Sequence, residues 1–297
     1  MTGHRPAASS PGAVRTVRKA VIPAAGLGTR LRPLTWAIPK ELLPAGSVPL
    51  IQLAVEEAAA SGIREVCIVI RREKEAIREY FERGAAGGAA RTGAEARLAA
   101  LTRKCRVAFA WQARPAGLGD AMRCARAFVG MEPFLLIIPD QFLCGPLPAA
   151  RALLGSYRFP EPTILSSVVS FPRRERRFFP GIRGFRLGGG AGRGPRPVRG
   201  LVPAGWRSGN GPVAWGFGRT IYPPEIFPYL GPRYRDPRTG EVDLWRTIRA
   251  LPVTIRHRAM RLPGRPCDLG TLEGYERYGP ILAADRRRPG GSSRCAW

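Results

Sequence analysis

The chain has 297 residues, of which 44% are hydrophobic, so it is long and apolar enough for a folded protein with a buried core and not typical of a disordered chain. Its 48 lysines and arginines against 22 aspartates and glutamates give a net charge of +26, a balance common in proteins that bind nucleic acids or anionic surfaces. Only four basic residues are lysines, the arginines are spread along the chain, and aromatic residues do not alternate with them. We therefore expect no specific nucleic-acid binding.

The six cysteines stand far apart, with no CxxC pair and no Cys/His cluster. This spacing argues against a zinc site and predicts free, partly buried thiols in a reducing compartment. Residues 1–17 carry charge but lack the apolar core of a secretory signal, and no uncharged stretch approaches the length of a membrane span. We expect a cytoplasmic protein with no membrane partner, preceded by a disordered basic arm over 1–17.

The first half of the chain alternates short apolar segments with helical ones. Strands that alternate with helices are typical of a mostly parallel sheet with helices on its faces. The apolar segment PFLLIIPDQ has no polar alternation, as expected of a strand that is buried on both faces. The predicted strands are 19–25, 64–70, 105–112 and 133–141, and the predicted helices lie within 49–63, 73–83, 85–104 and 113–130.

The second half has fewer clear patterns. Residues 172–212 are rich in glycine, proline and arginine, which predicts either a β excursion with long loops or a partly disordered segment. The last helix is predicted to start near Thr271 or Leu272, and a flexible tail follows over 285–297. Strands are predicted in 163–171 and 212–222, and short helices in 223–230 and 241–251.

The stretch AAGLGTRLRPLTWAIPKELLP (24–44) follows the first predicted strand and has the layout of a phosphate-binding loop. Glycines let the backbone approach a ligand closely and turn N–H groups toward it. Arg30 supplies a planar fork for phosphate oxygens and Lys40 a point charge, while three prolines stiffen the path between and around them. The stretch therefore predicts a site for a phosphorylated ligand.

Two common phosphate-binding motifs do not fit this stretch. A P-loop requires its lysine directly after the second glycine, well before Lys40, and the dinucleotide motif GxGxxG requires a third glycine where this chain has Leu31. A plain strand-to-helix turn with surface arginines is the structural alternative. The combination of GLGTR with PKELLP downstream favours the phosphate site over that turn.

These residues carry a resemblance to a known family. KAVIPAAGLGTR, PKELLP and GLGDAMRCARAFVGMEPF resemble the motifs of sugar-1-phosphate nucleotidyltransferases, most closely the bacterial glucose-1-phosphate uridylyltransferase branch. The resemblance is nearly continuous over 18–144, is faint across 172–212, and resumes at WGFGRTIYPPEIF and GRPCDLGTLEGY. It implies a single domain over 18–284 with a Rossmann-like, mixed but mostly parallel sheet flanked by helices, in which 172–212 forms an irregular insertion on the sugar side.

The resemblance also implies a reaction and its partners. A sugar 1-phosphate, with glucose 1-phosphate as the first guess, would attack the α-phosphate of UTP or dTTP, and a nucleotide sugar and pyrophosphate would form with Mg²⁺ as cofactor. Such a transfer depends on alignment and charge neutralisation. Arg30 would serve the β- and γ-phosphates and Lys40 the α-phosphate. The nucleotide-binding positions implied are Ala25, Gly26, Gly28, Thr29, Gln112 and Gly117.

Two acidic residues match the metal positions of the family. Asp140 ends the apolar strand LLIIPD, and Asp268 stands beside a glycine turn in CDLGT. Carboxylates are ligands that Mg²⁺ prefers, with water and phosphate oxygens in its other positions. By resemblance, Asp140 and Asp268 are the metal ligands.

The sugar side departs from the family pattern. Where the family carries Glu-Lys-Pro to hold the sugar and its phosphate, the chain has Pro203, Ala204 and Gly205. The missing charge could come from Arg199, Arg207 or Arg219, although a guanidinium fork is not a point charge. We assign Gly218 and Arg219 to the sugar side.

Two further positions depart from the pattern. Trp245 and Arg246 replace a Thr-Asp pair, and Gln141 stands where the family often has an acid. Three outcomes stay open: a different sugar, a slow enzyme, or a nucleotide-binding homologue without turnover. The sequence also leaves open whether the protein forms a homo-oligomer.

Overall fold

A computed structural model describes residues 15–86, 92–189, 192, 194–202 and 213–285. The predicted arm, apart from its last residues, and the predicted tail after residue 285 lie outside these ranges. Outside these ranges also lie Arg207 and the three residues that depart from the family motif in the sequence, Pro203, Ala204 and Gly205.

Thirteen strands occur in the described chain. They are β1 (Lys19–Pro23), β2 (Pro44–Ala45), β3 (Val48–Pro49), β4 (Glu65–Ile70), β5 (Arg106–Trp111), β6 (Phe134–Ile137), β7 (Gln141–Cys144), β8 (Thr163–Val169), β9 (Gly184–Leu187), β10 (Arg196–Val202), β11 (Ala214–Tyr222), β12 (Arg256–Arg261) and β13 (Arg265–Asp268).

Nine of these strands form one sheet in the order β5-β4-β1-β6-β11-β8-β12-β10-β9. The strands β5, β4, β1 and β6 are parallel, and β12 is parallel to β8. Strand β11 is antiparallel to both of its neighbours β6 and β8, and β10 is antiparallel to β12 and β9. The largely parallel, mixed sheet of the sequence-based prediction is confirmed.

Eight α-helices accompany the strands in the described chain. They are α1 (Leu50–Ala60), α2 (Glu75–Ala85), α3 (Gly93–Lys104), α4 (Leu118–Cys124), α5 (Arg126–Val129), α6 (Ala149–Ser156), α7 (Leu244–Arg249) and α8 (Leu272–Asp285). None of the described helices is long and apolar enough to cross a membrane.

Alternate residues of the central strands face two different cores. Ala20 and Ile22 of β1 pack with residues of α1, α2, α3 and α6, whereas Val21 packs with residues of α4, α5 and α7. The strand is buried on both sides because helices cover both faces of the sheet, and this explains the continuous apolar segments of the sequence. Parallel strands also bring their carboxyl ends to one edge, where the loops after β1, β5 and β6 meet.

A separate antiparallel pair, β7 with β13, lies outside the main sheet. In its register Gln141 faces Asp268 and Cys144 faces Arg265. The backbone N–H of Leu269 donates to the carbonyl of Asp140 at 2.8 Å, which continues the pairing beyond the strands. Segments more than a hundred residues apart therefore come together beside the end of β6.

The described part of 172–212 is the β excursion that the sequence left as one of two options. It contains a 3₁₀-helix, Arg173–Phe178, and the antiparallel strands β9 and β10. Helix α6 and strand β12 were not predicted. The start of α8 at Leu272 agrees with the prediction.

Candidate active site

The loop after β1 lies at the carboxyl edge of the sheet and bends sharply. Gly28 has φ +68°, a left-handed conformation that L side chains rarely adopt. The hydroxyl of Thr35 donates to the carbonyl of Gly28 at 2.8 Å and fixes the bend. Gly26, Thr29 and Arg30 remain exposed, so the loop presents its backbone and one guanidinium to the solvent.

Lys40 stands opposite this loop and is held by charged neighbours. Its Nζ lies 2.6 Å from Oδ2 of Asp140. The next residue, Glu41, forms a buried ion pair with Lys74, whose Nζ lies 2.6 Å from Oε2 of Glu41. Burial alone would lower the pKa of Lys40, but the negative charges of Asp140 and Glu41 outweigh it and the pKa is raised. Lys40 is therefore a fixed cation before any ligand binds.

Asp140 and Asp268 lie side by side. A Cβ on Gly270 would stand 2.8 Å from Oδ2 of Asp140 and 3.0 Å from Oδ1 of Asp268. Nε2 of Gln141 donates to Asp268 Oδ2 and the backbone N–H of Gly270 donates to Asp268 Oδ1, each at 2.8 Å. The β7–β13 pairing brings the two carboxylates together, and the absence of a side chain at Gly270 leaves the space next to them open.

The two carboxylates differ in pKa. Burial would raise the pKa of Asp140, but the neighbouring Lys40 holds it below its usual value. Burial and, next, the negative charge of Asp140 raise the pKa of Asp268 to about 6. Such a pair favours a cation between or beside its members, because the cation relieves the repulsion that raises the pKa of Asp268.

Two cavities open at this edge of the sheet and share Arg30, Lys40, Leu118 and Ile138 in their walls. The first has a volume of about 360 Å³ and will be called the nucleotide cavity. Its lining includes predicted nucleotide-binding residues, namely Ala25, Gly26, Gly28, Thr29, Gln112 and Gly117.

The second cavity has a volume of about 280 Å³ and will be called the acceptor cavity. Asp140, Asp268 and Gly218 line it, together with side chains of β8, β9, β11 and α7. The structure thus brings together the loop, both predicted cations and both predicted metal ligands, and it places Gly218 on the side where the sugar was expected.

Gln112, at the end of β5, lies at the wall of the nucleotide cavity with its side-chain amide fixed. Its Nε2 donates to Oδ2 of Asp120 at 2.8 Å and to the carbonyl of Gly117 at 3.2 Å. A carboxylate only accepts hydrogen bonds, so Asp120 holds the NH₂ of the amide toward itself. The carbonyl oxygen Oε1 of Gln112 is then the part of the amide available to a ligand.

The assignment of Arg219 to the sugar side is wrong. Its side chain is fully buried, and its Nε and Nη2 pair with the carboxylate of Glu57 on α1. Its Nη1 donates to the carbonyls of Ile138 and Gly218, at 3.0 and 2.9 Å. The guanidinium is saturated inside the protein, so it cannot supply the charge missing from the sugar side. Sequence reasoning had considered it as a source of the charge that the Glu-Lys-Pro motif would have supplied.

Three residues of the site were not singled out from the sequence. Asp120 orients Gln112, and Glu41 anchors the segment that carries Lys40. Arg183 contributes a third cation to the acceptor cavity. Asp120 and Glu41 stand inside the quoted motifs, but only the contacts reveal their roles.

The site can be compared with known proteins. A family model described as "Nucleotidyl transferase" matches residues 19–174. In a search of solved structures, the chain resembles UDP-glucose pyrophosphorylase complexed with UDP-glucose, with a TM-score of 0.78 and 26% identity, over 92% of this chain and 100% of that one.

Two relatives from Bacillus subtilis (strain 168) extend the comparison. The UTP–glucose-1-phosphate uridylyltransferase YngB is 40% identical over 148 residues, which is 48% of this chain and about half the length (50%) of that relative. A second protein named UTP–glucose-1-phosphate uridylyltransferase is 33% identical over 279 residues, 88% of this chain and 89% of that relative. The resemblance read from the motifs is confirmed: the chain belongs to the nucleotidyl transferase family.

Proposed function

We propose that the protein transfers a uridylyl group from UTP to a sugar 1-phosphate, with glucose 1-phosphate as the first acceptor, and releases pyrophosphate. The observation that carries the proposal is that two cavities meet at Arg30 and Lys40. One cavity can hold a nucleoside triphosphate and the other its acceptor, so both substrates would reach the same pair of cations. The names of the relatives support UTP and glucose 1-phosphate as the substrates.

The base would bind beside Gln112 and Gly117. Because Asp120 fixes the NH₂ of Gln112, its Oε1 would accept a hydrogen bond from N3–H of uracil. Cytosine has no hydrogen at N3, so this arrangement favours uracil. Thymine presents the same edge as uracil, and dTTP is therefore the closest competing nucleotide.

The triphosphate would lie along the loop from Gly26 to Arg30. The exposed backbone N–H groups and the Arg30 guanidinium would bind the β- and γ-phosphates, which become the leaving pyrophosphate. Lys40, already charged and held by Asp140, would stabilise the negative charge that develops at the α-phosphate. An oxygen of the acceptor phosphate forms the new bond to the α-phosphorus as the bond to pyrophosphate breaks.

Asp140 and Asp268 fit a divalent cation such as Mg²⁺. Two buried carboxylates face one open position beside Gly270, and burial together with the charge of Asp140 raises the pKa of Asp268. When bound, Mg²⁺ would supply positive charge to the phosphate oxygens. Gln141 and the N–H of Gly270 would keep Asp268 oriented toward it.

The other expectations about partners follow from this reaction. UTP and sugar 1-phosphates are intracellular metabolites, which supports the cytoplasmic location expected from the sequence. A homo-oligomer stays a prediction of the sequence.

A substrate matrix tests the proposal. Pyrophosphate release is measured for UTP, dTTP, CTP and ATP against a panel of sugar 1-phosphates with Mg²⁺. We expect the fastest release from UTP with glucose 1-phosphate. Arg30→Ala should lower turnover about a hundredfold or more by loss of charge stabilisation. Arg32→Ala is the matched control, because Arg32 is exposed and lines neither cavity.

The alternative is a nucleotide-binding homologue with weakened or no catalysis. It is supported by the loss of Glu-Lys-Pro at 203–205. If UTP binds but no sugar 1-phosphate of the panel releases pyrophosphate, this alternative replaces the proposal.

A further inference from the structure

The wall of the acceptor cavity contains three positively charged side chains, which differ in their other contacts. Arg30, Lys40 and Arg183 line it. Arg30 and Lys40 also line the nucleotide cavity, and Lys40 is paired with Asp140. The sequence has no lysine after Lys104, so every later cation that could bind an anion is a histidine or an arginine. Arg183 is the lining cation that belongs to the acceptor cavity and not to the nucleotide cavity.

The backbone of Arg183 is fixed from two sides. The N–H of Gly216, on β11, donates to the carbonyl of Arg183 at 2.8 Å. On the other side, Arg176 donates from Nη1 to the carbonyl of Phe179 and from Nη2 to the carbonyl of Ile182, the latter at 3.3 Å. The fold therefore fixes the backbone from which the Arg183 side chain reaches the cavity wall.

The guanidinium of Arg183, in contrast, has no counter-charge in the described part of the chain. It is half-buried, and no carboxylate of the described residues forms an ion pair with it. It does act on another cation: burial and, next, the charge of Arg183 lower the pKa of Arg176. The two guanidinium groups repel each other where they are partly buried without an anion. A bound anion would remove that repulsion.

The chemistry of such a position is that of a phosphate site. A guanidinium presents two parallel N–H donors that match two oxygens of a phosphate monoester. An arginine whose backbone is already held loses less conformational freedom on binding than a free surface side chain. Arg186 lies on β9, three residues after Arg183. It is exposed and lines neither cavity, so its environment differs from that of Arg183.

We propose that Arg183 binds the phosphate of the sugar 1-phosphate and so takes the place of the lysine that the chain lacks on this side. The proposal rests on the proposed function, because it assigns one residue to its second substrate. Arg183 donates hydrogen bonds to non-bridging oxygens of that phosphate and leaves a third oxygen to attack the α-phosphorus. The acceptor class that it selects is a phosphate monoester, in contrast to a free sugar.

Initial rates with saturating UTP and varied glucose 1-phosphate test the assignment. Arg183→Ala should raise the KM for glucose 1-phosphate about 10- to 100-fold, the usual loss for a charge-assisted hydrogen bond. The KM for UTP should stay within about twofold, because Arg183 does not line the nucleotide cavity. Arg183→Lys should give an intermediate KM, since it restores the charge without the fork. Arg186→Ala is the matched control and should behave as the unmodified protein.

Binding of UTP to each variant, measured by calorimetry without an acceptor, shows whether the variant is folded. If Arg183→Ala binds UTP normally and keeps the original KM for glucose 1-phosphate, the assignment of Arg183 is overturned while the proposed function stands. If the unmodified protein releases no pyrophosphate with any sugar 1-phosphate, the proposed function fails. In that case, calorimetric titration with inorganic phosphate tests the site directly: weaker phosphate binding in Arg183→Ala than in the unmodified protein supports an anion site at Arg183, and equal binding overturns it.

Discussion

The nucleotide cavity and the acceptor cavity are built in different ways. The nucleotide cavity is lined mainly by loops at the ends of parallel strands, where small residues expose backbone groups, as in the segment from Ala25 to Thr29. The acceptor cavity is lined by side chains of β8, β9, β11 and α7, which come from distant parts of the second half. Backbone groups change little when the sequence changes, whereas a wall of side chains changes with each substitution. The second cavity is therefore where specificity can diverge within one fold.

The largest effect is expected at a buried ion pair that joins a helix of the first half of the chain to a strand of the second half. Glu57 on α1 and Arg219 on β11 are fully buried and paired. Glu57→Ala leaves the guanidinium buried without its counter-charge and should lower the free energy of unfolding by about 3–5 kcal/mol. Urea denaturation measures this.

A double variant controls for the packing. Glu57→Leu combined with Arg219→Met removes both charges and should be less destabilised than Glu57→Ala. A double variant that unfolds more easily than the single one would mean that the pair itself, and not an unpaired charge, supplies the stability.

The next effect concerns the carboxylates at the junction of the cavities. Asp140→Asn should lower turnover about a hundredfold or more, because it removes charge from the proposed Mg²⁺ site and from the partner of Lys40. Pyrophosphate release at several Mg²⁺ concentrations measures it. Asp236→Asn, at a half-buried carboxylate that lines neither cavity, is the control. Full activity of Asp140→Asn at low Mg²⁺ would contradict the assignment.

A smaller effect concerns how the free energy of unfolding depends on pH, through a histidine beside the acceptor cavity. His257 is half-buried, and its Nε2 lies 3.0 Å from the hydroxyl of Ser166, which lines the acceptor cavity. Burial lowers the pKa of His257 from 6.5 to about 4, so the unfolded chain binds a proton more readily. The contribution of the neutral His257 to the free energy of unfolding is complete above pH 6.5. It is lost as the pH falls toward 4, by about 2 kcal/mol at pH 5.

Urea denaturation at pH 7.5 and pH 5 measures this loss. The variant His257→Gln does not titrate and should lose about 2 kcal/mol less than the unmodified protein between the two values. Equal losses in both proteins would show that other groups govern the acid sensitivity.

The smallest effect is expected at the base. Asp120→Ala removes the acceptor that orients Gln112, and the amide can then turn its NH₂ toward the ligand. The preference for UTP over CTP should fall about tenfold, a difference of one hydrogen bond. The ratio of kcat/KM for the two nucleotides measures it. An unchanged ratio would mean that Gln112 is held without Asp120.

The residues that the sequence assigned to the nucleotide side line one cavity, and most of them are contiguous. The glycine bend, Arg30 and Lys40 lie within one short stretch, and each side chain has one obvious chemical use. The parallel strands were also predictable, since segments buried on both faces lack polar alternation. The pairing of Asp140 with Asp268 came from the family resemblance. No spacing rule connects residues so far apart, and the β7–β13 pair that joins them is only four residues long in each strand.

The acceptor side was less predictable for a physical reason. Arginines are so common in this chain that composition does not separate a buried one from a ligand-binding one. Arg219 was assigned to the sugar but is neutralised by Glu57, and Arg183 was not singled out but lines the cavity. Burial and pairing, which are properties of the folded state, decide between them.

The pairing of β7 with β13 also bears on how the protein is made. Asp140 leaves the ribosome long before Asp268, and until β13 arrives its described charged partner is Lys40. Both carboxylates can face one cation only after translation has passed Asp268. Incomplete translation products can therefore contain the entire glycine loop and still lack the second carboxylate of the proposed cation site.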